Sequence, residues 1–166
     1  MTASPGQVSL VIGGTGMLAA ATLWLADHSG ATIVVARRAS AFCGGDERLL
    51  PVDVDWNSAE FRERVSAAVD RMGPVTSALL WLHEPEPVLQ WLLPRIAGAR
   101  VVLVLGSQDG RPELPTSAKS VVAVRLGSMA TSSGRRWLTD DEICAGVIVA
   151  LQDGRPRVIG ELVPPR

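Results

Sequence analysis

This chain of 166 residues contains no tyrosine and has one lysine, Lys119. Any reaction that needs a phenol as proton donor must therefore find another group here. Cysteine is also scarce, because Cys43 and Cys144 are the only two. Two cysteines make neither a disulfide framework nor a zinc site, and we predict no bound metal.

Long apolar runs and a surplus of charge are lacking as well. Hydrophobic residues make up 47% of the chain, yet no run approaches the roughly 20 apolar residues that cross a bilayer. The net charge of -1 leaves no basic surface for nucleic acid. The first residues lack the basic start and apolar core of a secretory signal. We therefore expect a cytoplasmic protein of one domain, residues 1–166, that binds neither membranes nor nucleic acid.

A glycine-rich turn near the amino terminus is the most informative stretch. It follows an apolar run that predicts a buried strand, and it matches the pattern Gly-x-Gly-x-x-Ala of dinucleotide-binding βαβ units; it consists of Gly13, Gly14, Thr15, Gly16, Met17, Leu18 and Ala19. Its glycines permit a tight turn and the close approach of a pyrophosphate, which would face the N–H groups near Met17 and Leu18. A turn without a ligand is the alternative, but the strand before it and the helix after it favour cofactor binding.

Two arginines, Arg37 and Arg38, end the second predicted strand, Ala31–Ala36. Folds that prefer NAD commonly place an acidic residue in this region to hold the ribose hydroxyls. Guanidinium groups suit a 2'-phosphate instead, which favours NADP(H) as the cofactor. The alternative is a pair of surface arginines at the end of a strand.

Apolar runs and helical patterns alternate along the chain, which predicts an α/β fold with a doubly wound parallel sheet of the Rossmann type. We expect the strand order 3-2-1-4-5-6. The predicted strands are Val8–Ile12, Ala31–Ala36, Leu49–Val54, Val75–Leu82, Val101–Leu105 and Val121–Leu126, and Val158–Val163 could add an edge strand.

Two connections and two capping patterns complete the prediction. The segment Gly106–Ser120 has loop composition without a helical face, and Gly127–Gly134 is predicted to be a polar loop. Asn57 and Glu60 have the spacing of a capping box at the start of the third helix. Thr139 and Glu142 have the same spacing at the start of the last helix.

The glycine-rich turn, the triplet Asp53-Val54-Asp55 and the stretch Arg136–Ile143 resemble atypical members of the short-chain dehydrogenase/reductase superfamily, including small bacterial proteins. The resemblance implies that Asp53 contacts adenine, with Val54 beside the ring, and that Arg37 or Arg38 contacts the 2'-phosphate.

Two signatures of that superfamily are missing from this chain. Its Tyr-x-x-x-Lys pair cannot exist without tyrosine, and Pro115 stands four residues before Lys119. Its Asn-Asn-Ala-Gly pattern is replaced by Trp81-Leu82-His83-Glu84. The resemblance therefore implies a cofactor pocket without the usual catalytic machinery.

Four other side chains could serve the chemistry. His83 follows the fourth strand and has a pKa range suited to proton transfer, although a loop histidine without a catalytic role is as consistent with the sequence. Ser107 follows the fifth strand as a hydrogen-bond donor to substrate, and Ser128 and Ser132 are candidate substrate or nicotinamide contacts.

We consider three functions. The first is an NADP(H)-dependent oxidoreductase that acts on a C=O, C=N or activated C=C bond of a small molecule, as a homodimer or higher homo-oligomer. The second is a non-catalytic NADP(H)-binding sensor or accessory module. The third is a redox-neutral cyclase or isomerase on the same fold.

Overall fold

The computed structural model of the chain describes residues 6–115 and 120–163, so that Lys119 lies outside the described residues. The strands are β1 (Val8–Ile12), β2 (Ala31–Ala36), β3 (Leu49–Asp53), β4 (Val75–Trp81), β5 (Arg100–Leu105), β6 (Val121–Leu126), β7 (Ser128–Thr131), β8 (Gly134–Trp137) and β9 (Arg157–Ile159). The helices are α1 (Ala19–Asp27), α2 (Ala39–Cys43), α3 (Phe61–Met72), α4 (Pro85–Leu92) and α5 (Asp140–Asp153), and a 3-10 turn (Leu93–Ile96) follows α4.

Seven strands form one parallel sheet in the order β3-β2-β1-β4-β5-β6-β9. The predicted α/β fold and the predicted order of the first six strands are confirmed. The short strand β9 adds an edge beside β6, with Leu126 paired to Ile159. The chain therefore has a Rossmann-type, doubly wound fold.

Helices on both faces explain why the central strands are predominantly apolar. All five residues of β1 are buried, with Leu10 and Ile12 on the face covered by α3 and α4. Val11 packs on the opposite face, in the cluster with buried residues of α1 and α5. Because each strand in this part of the sheet buries side chains on both faces, its sequence shows no polar alternation.

The segment predicted as a polar loop after β6 is a β-hairpin instead. Strands β7 and β8 pair antiparallel, from Ser128 with Trp137 to Thr131 with Gly134. The residues of β8 are all exposed. Neither strand buries an apolar face, so the sequence shows no alternation from which the hairpin could be predicted.

One of the two predicted capping boxes is present. In α5, the N–H of Glu142 donates to Thr139 Oγ1 at 3.2 Å, and the N–H of Thr139 donates to Glu142 Oε1 at 2.9 Å. The capping box predicted between Asn57 and Glu60 is wrong, because α3 begins at Phe61. Glu60 is its N-cap, and no side chain caps the helix. The N–H of Asn57 donates to the carboxylate of Asp55 in the preceding turn.

The connection from β5 to β6 has no helix in its described part, residues 106–115, as predicted. It is tied to α4, since the N–H of Glu113 donates to Glu86 Oε1 at 3.0 Å and Gln90 Nε2 donates to the carbonyl of Glu113 at 3.3 Å. Among the helices of residues 6–115 and 120–163, none is long and apolar enough to cross a bilayer.

Candidate functional site

A cleft with a volume of about 1130 Å³ opens at the carboxyl edge of the sheet. Residues at or just after the ends of β1, β2, β3, β4 and β5 line it. The β1–α1 turn is at its centre, where the strand order reverses between β1 and β4. Ligands of open α/β sheets bind at this position.

The first two glycines of the turn are required by the packing of the chain itself. Gly13 has a φ of +77°, and a Cβ there would lie 2.3 Å from the carbonyl oxygen of Trp81. A Cβ on Gly14 would lie 2.4 Å from Thr22 Oγ1, which donates to the carbonyl of Gly14 at 2.7 Å. The turn is therefore held closely against β4 and α1.

The third glycine, Gly16, is not required by internal packing. A Cβ there would meet no atom within 4 Å, and Gly16 and Thr15 line the cleft. Within the described part of the chain, the N–H groups of Gly16, Met17 and Leu18 have no backbone acceptor. Gly16 is exposed and Met17 is half-buried, whereas Leu18 is buried. The N–H groups of Gly16 and Met17 are therefore the donors that a phosphate group could reach.

Met17 and Leu18 support the turn through their packing and do not line the cleft. Leu18 is fully buried in the cluster between α1 and α5. The Cys144 thiol on α5 donates to the carbonyl of Met17 at 3.1 Å. The last helix thereby holds the turn in place.

Both arginines at the end of β2, Arg37 and Arg38, are exposed and line the cleft. Neither belongs to any ion pair formed within the described ranges. Two guanidinium groups are therefore available at this end of the cleft for a phosphate or carboxylate of a ligand.

Asp53 and Val54, at the end of β3, are neighbours in the same sequence pattern but have different surroundings. Val54 lines the cleft, but Asp53 does not. The Asp53 carboxylate accepts hydrogen bonds from the hydroxyl and the N–H of Ser40, and these bonds hold the pKa of Asp53 below its usual range. This geometry gives Asp53 a structural role at the start of α2 and lends no support to the predicted adenine contact by its carboxylate.

His83, just after β4, lines the cleft beside an aromatic side chain that the sequence analysis missed. Its ring centroid lies 5.4 Å from that of Trp56, with an angle of 46° between the planes. Trp56 lines the cleft and is 37% exposed. It follows the end of β3, and its position after a predicted buried strand was the signal that could have identified it.

At the end of β5, the cleft is lined by Gly106 and Asp109 rather than by Ser107. Asp109 Oδ2 accepts from the N–H of Gly106 at 2.5 Å. Arg125 Nη1 donates to the carbonyls of Gly106 and Asp109, at 3.1 and 2.5 Å. The sequence analysis missed Asp109, although an acidic residue shortly after a buried strand is a signal for this edge.

The two serines of the hairpin lie away from the cleft lining. Ser128 Oγ accepts from Arg135 Nε at 2.8 Å, and its backbone pairs with that of Glu161. Ser132 is exposed in the hairpin turn. Their predicted contacts with substrate or nicotinamide have no support in this arrangement.

Both cysteines are buried thiols. Burial raises the pKa of Cys43, and the charges of Asp53 and Asp46 add to that effect, so that the thiolate needed for nucleophilic attack is disfavoured. Across residues 6–115 and 120–163, no three His, Cys, Asp or Glu side chains come together as metal ligands.

Solved structures of short-chain dehydrogenases are similar to this chain. A short-chain dehydrogenase from Burkholderia cenocepacia J2315, crystallised in complex with NADP, matches with a TM-score of 0.64 and 17% identity over 95% of this chain and 89% of its own. A short-chain dehydrogenase from Streptomyces avermitilis matches with a TM-score of 0.63 and 17% identity, over 96% and 89%. A citronellol catabolism dehydrogenase from Pseudomonas aeruginosa PAO1 matches with a TM-score of 0.60 and 17% identity, over 96% and 94%.

No protein-family model matches the sequence, and no curated protein matches it. At the identities above, the similarity is one of fold. The chain therefore has the fold of the short-chain dehydrogenases and reductases, as the glycine-rich turn and the strand order predict.

Proposed function

We propose that this chain, with its short-chain dehydrogenase fold, binds NADP(H) in the cleft and acts as an oxidoreductase on a small molecule. The observation that carries the proposal is the pair Arg37 and Arg38, without ion-pair partners in the described ranges, in the same cleft as the open glycine turn. That NADP accompanies a structure of this fold supports the choice of cofactor.

The residues that line the cleft fit the pyrophosphate, the 2'-phosphate and the adenine of the cofactor. The N–H groups of Gly16 and Met17, which have no backbone acceptor in the described residues, would hold the pyrophosphate, and the two guanidinium groups would hold the 2'-phosphate. Val54, Trp56 and Phe61 offer apolar surface for the adenine in the same cleft. When bound, the reduced cofactor supplies a hydride.

A proton donor is needed besides the cofactor if the substrate is a carbonyl compound. A carbonyl substrate needs a donor for the developing alkoxide, and no tyrosine exists in the chain. Of the two predicted side chains, His83 lines the cleft and Ser107 does not. The proposed oxidoreductase acts on a C=O, C=N or activated C=C bond of its substrate.

A non-catalytic NADP(H)-binding module is the second candidate. The observation that favours it is the connection after β5, where residues 106–115 form no helix and the sequence has no tyrosine. Such a module would bind NADPH with the same residues and would show no turnover. Cytoplasmic location and a homo-oligomeric state stay predictions for either function.

Titration of the purified protein with NADPH and with NADH, followed by cofactor fluorescence, tests the cofactor assignment. We expect tighter binding of NADPH, and we expect Arg37→Ala or Arg38→Ala to weaken NADPH binding about tenfold, because each removes a charge-assisted hydrogen bond worth about 1.5 kcal/mol or more. NADH binding should change little in the same variants.

Arg95→Ala is the matched control, because it also removes one exposed arginine. Arg95 lies in the 3-10 turn before β5, where it pairs with Asp70, and it does not line the cleft. Its NADPH affinity should equal that of the unchanged protein. Equal affinity of the unchanged protein for NADPH and NADH would contradict the role of the two arginines.

A further inference from the structure

The ionisable side chains that line the cleft are arranged with opposite charges at opposite ends. Arg37 and Arg38 lie at the end of β2, and Asp109 lies just after the end of β5. In the sheet order, β2 and β5 are separated by β1 and β4, which corresponds to three strand spacings or roughly 14 Å. A ligand that spans the cleft therefore meets positive charge at one end and negative charge at the other.

Asp109 is held in place by its own turn and by β6. Its Oδ2 accepts from the N–H of Gly106 at 2.5 Å, and a Cβ on Gly106 would lie 3.1 Å from that oxygen. Arg125 binds the carbonyl oxygens of Gly106 and Asp109, not the carboxylate. Asp109 belongs to none of the ion pairs of the described residues, and its Oδ1 accepts no hydrogen bond from them.

This carboxylate decides which substrates are compatible with the β5 end of the cleft. Reduction of a carbonyl develops negative charge on oxygen, which a neighbouring carboxylate disfavours by like-charge repulsion. A protonated imine carries positive charge before the reaction and loses it during hydride addition. It also carries an N–H donor that the free Oδ1 can accept.

We propose that the substrate is a protonated imine, bound at the β5 end of the cleft through its N–H to Asp109; this rests on the proposed function. The reduced nicotinamide gives a hydride, with its electron pair, to the iminium carbon. A new C–H bond forms, the C=N π pair becomes the lone pair of the amine nitrogen, and the cofactor is oxidised by two electrons. No proton is required in this step, which removes the need for the absent tyrosine.

Binding and turnover are tested with two rings of matched size, 2-methyl-1-pyrroline and cyclopentanone. With NADPH, we expect oxidation of the cofactor by the imine at a kcat/KM at least tenfold above that for the ketone. A second measurement does not depend on turnover: calorimetry in the presence of NADP+ should detect binding of the pyrrolidinium ion and at least tenfold weaker binding of neutral cyclopentanol.

The variant Asp109→Asn separates the charge of this side chain from its structural role, because the amide oxygen can still accept from the N–H of Gly106. We expect kcat/KM for the imine and the affinity for pyrrolidinium to fall at least tenfold, with NADPH binding retained or tightened by the loss of a negative charge. Asp70→Asn is the control, because it changes an exposed aspartate of α3 that pairs with Arg95. It should leave imine turnover, pyrrolidinium binding and NADPH binding unchanged.

Unchanged imine turnover and pyrrolidinium binding in Asp109→Asn would overturn the inference, as would equal use of the ketone. In either case, normal NADPH binding by the unchanged protein would leave the proposed cofactor in place. Absence of NADPH binding by the unchanged protein would instead contradict the proposed function itself.

Discussion

Five strands of the sheet, β3, β2, β1, β4 and β5, have helices packed on both faces, whereas β6 and β9 have α5 on one face. Buried residues of β5 pack with α4 on one side and with α5 on the other. On β6, Ala123 is exposed, and it lines a groove beside Leu114 and Val158 that no helix of the described residues covers.

The cleft lies at the ends of the five fully covered strands. Strand β6 and helix α5 contribute support: Arg125 of β6 binds the carbonyls of Gly106 and Asp109, and Cys144 of α5 binds the carbonyl of Met17. The residues that line the cleft are therefore placed where packing on both faces fixes the strand ends.

The largest expected difference between the two regions is in the free energy of unfolding of two variants. Gly13→Ala lies in the turn after β1, and Gly110→Ala lies in the connection to β6. We expect Gly13→Ala to lower the free energy of unfolding by about 3 kcal/mol, because a Cβ there would contact the carbonyl of Trp81 at 2.3 Å with a φ of +77°. In the connection to β6, a Cβ on Gly110 meets nothing within 4 Å, and the change should stay within about 0.5 kcal/mol. Urea denaturation measures both, and similar losses would contradict this account of the turn.

Gly16→Ala separates ligand approach from folding within the same turn. Since a Cβ on Gly16 meets no atom of the protein within 4 Å, the urea midpoint should not change. The added methyl group would stand where the pyrophosphate approaches, so we expect NADPH affinity to fall about tenfold, or about 1.4 kcal/mol. Unchanged NADPH affinity in a folded Gly16→Ala protein would show that the cofactor does not approach Gly16.

The smallest expected effect concerns the support that α5 gives to the turn. The Glu142 carboxylate accepts hydrogen bonds from the Arg136 guanidinium and from the N–H of Thr139. These two hydrogen bonds lower the pKa of Glu142 to about 2. Because the folded pKa lies below the unfolded one, the stabilisation is present at neutral pH and is lost as the pH falls from about 5 toward 2.

Thermal unfolding as a function of pH measures this support. The midpoint of Glu142→Gln should lie below that of the unchanged protein at neutral pH, and the difference should shrink toward pH 2. Asp141→Asn is the control, because Asp141 is exposed in the same helical turn. It should change the midpoint of thermal unfolding less than Glu142→Gln does. A difference that does not depend on pH would contradict the role assigned to the charge of Glu142.

The elements that could be predicted are those whose signals are local. The runs Val8–Ile12 and Ala31–Ala36 are strands with the predicted bounds, because a strand buried on both faces is predominantly apolar. The capping box at Thr139 was predictable from two residues at fixed spacing. The hairpin after β6 was not, since its exposed strands carry no apolar pattern.

The site was predicted in part for the same reason. Gly13, Arg37 and Val54 line the cleft, because the ends of parallel strands meet at one edge; their contacts with a cofactor stay predictions. Neighbouring side chains of an extended chain point in opposite directions. Val54 therefore lines the cleft, whereas the Asp53 carboxylate accepts a hydrogen bond from the Ser40 hydroxyl. A pattern that groups the two residues cannot make that distinction.

From the sequence by itself, the strands of the sheet and the glycine-rich turn were determined, because each depends on neighbours within a few residues. The strand order was predicted from the alternation of strands and helices, which is typical of a doubly wound fold. Only the tertiary structure decided that Trp56 lies beside His83 and that Asp109 lies in the same cleft as Arg37. These residues follow different strands, and their proximity depends on the order and pairing of those strands rather than on any local pattern.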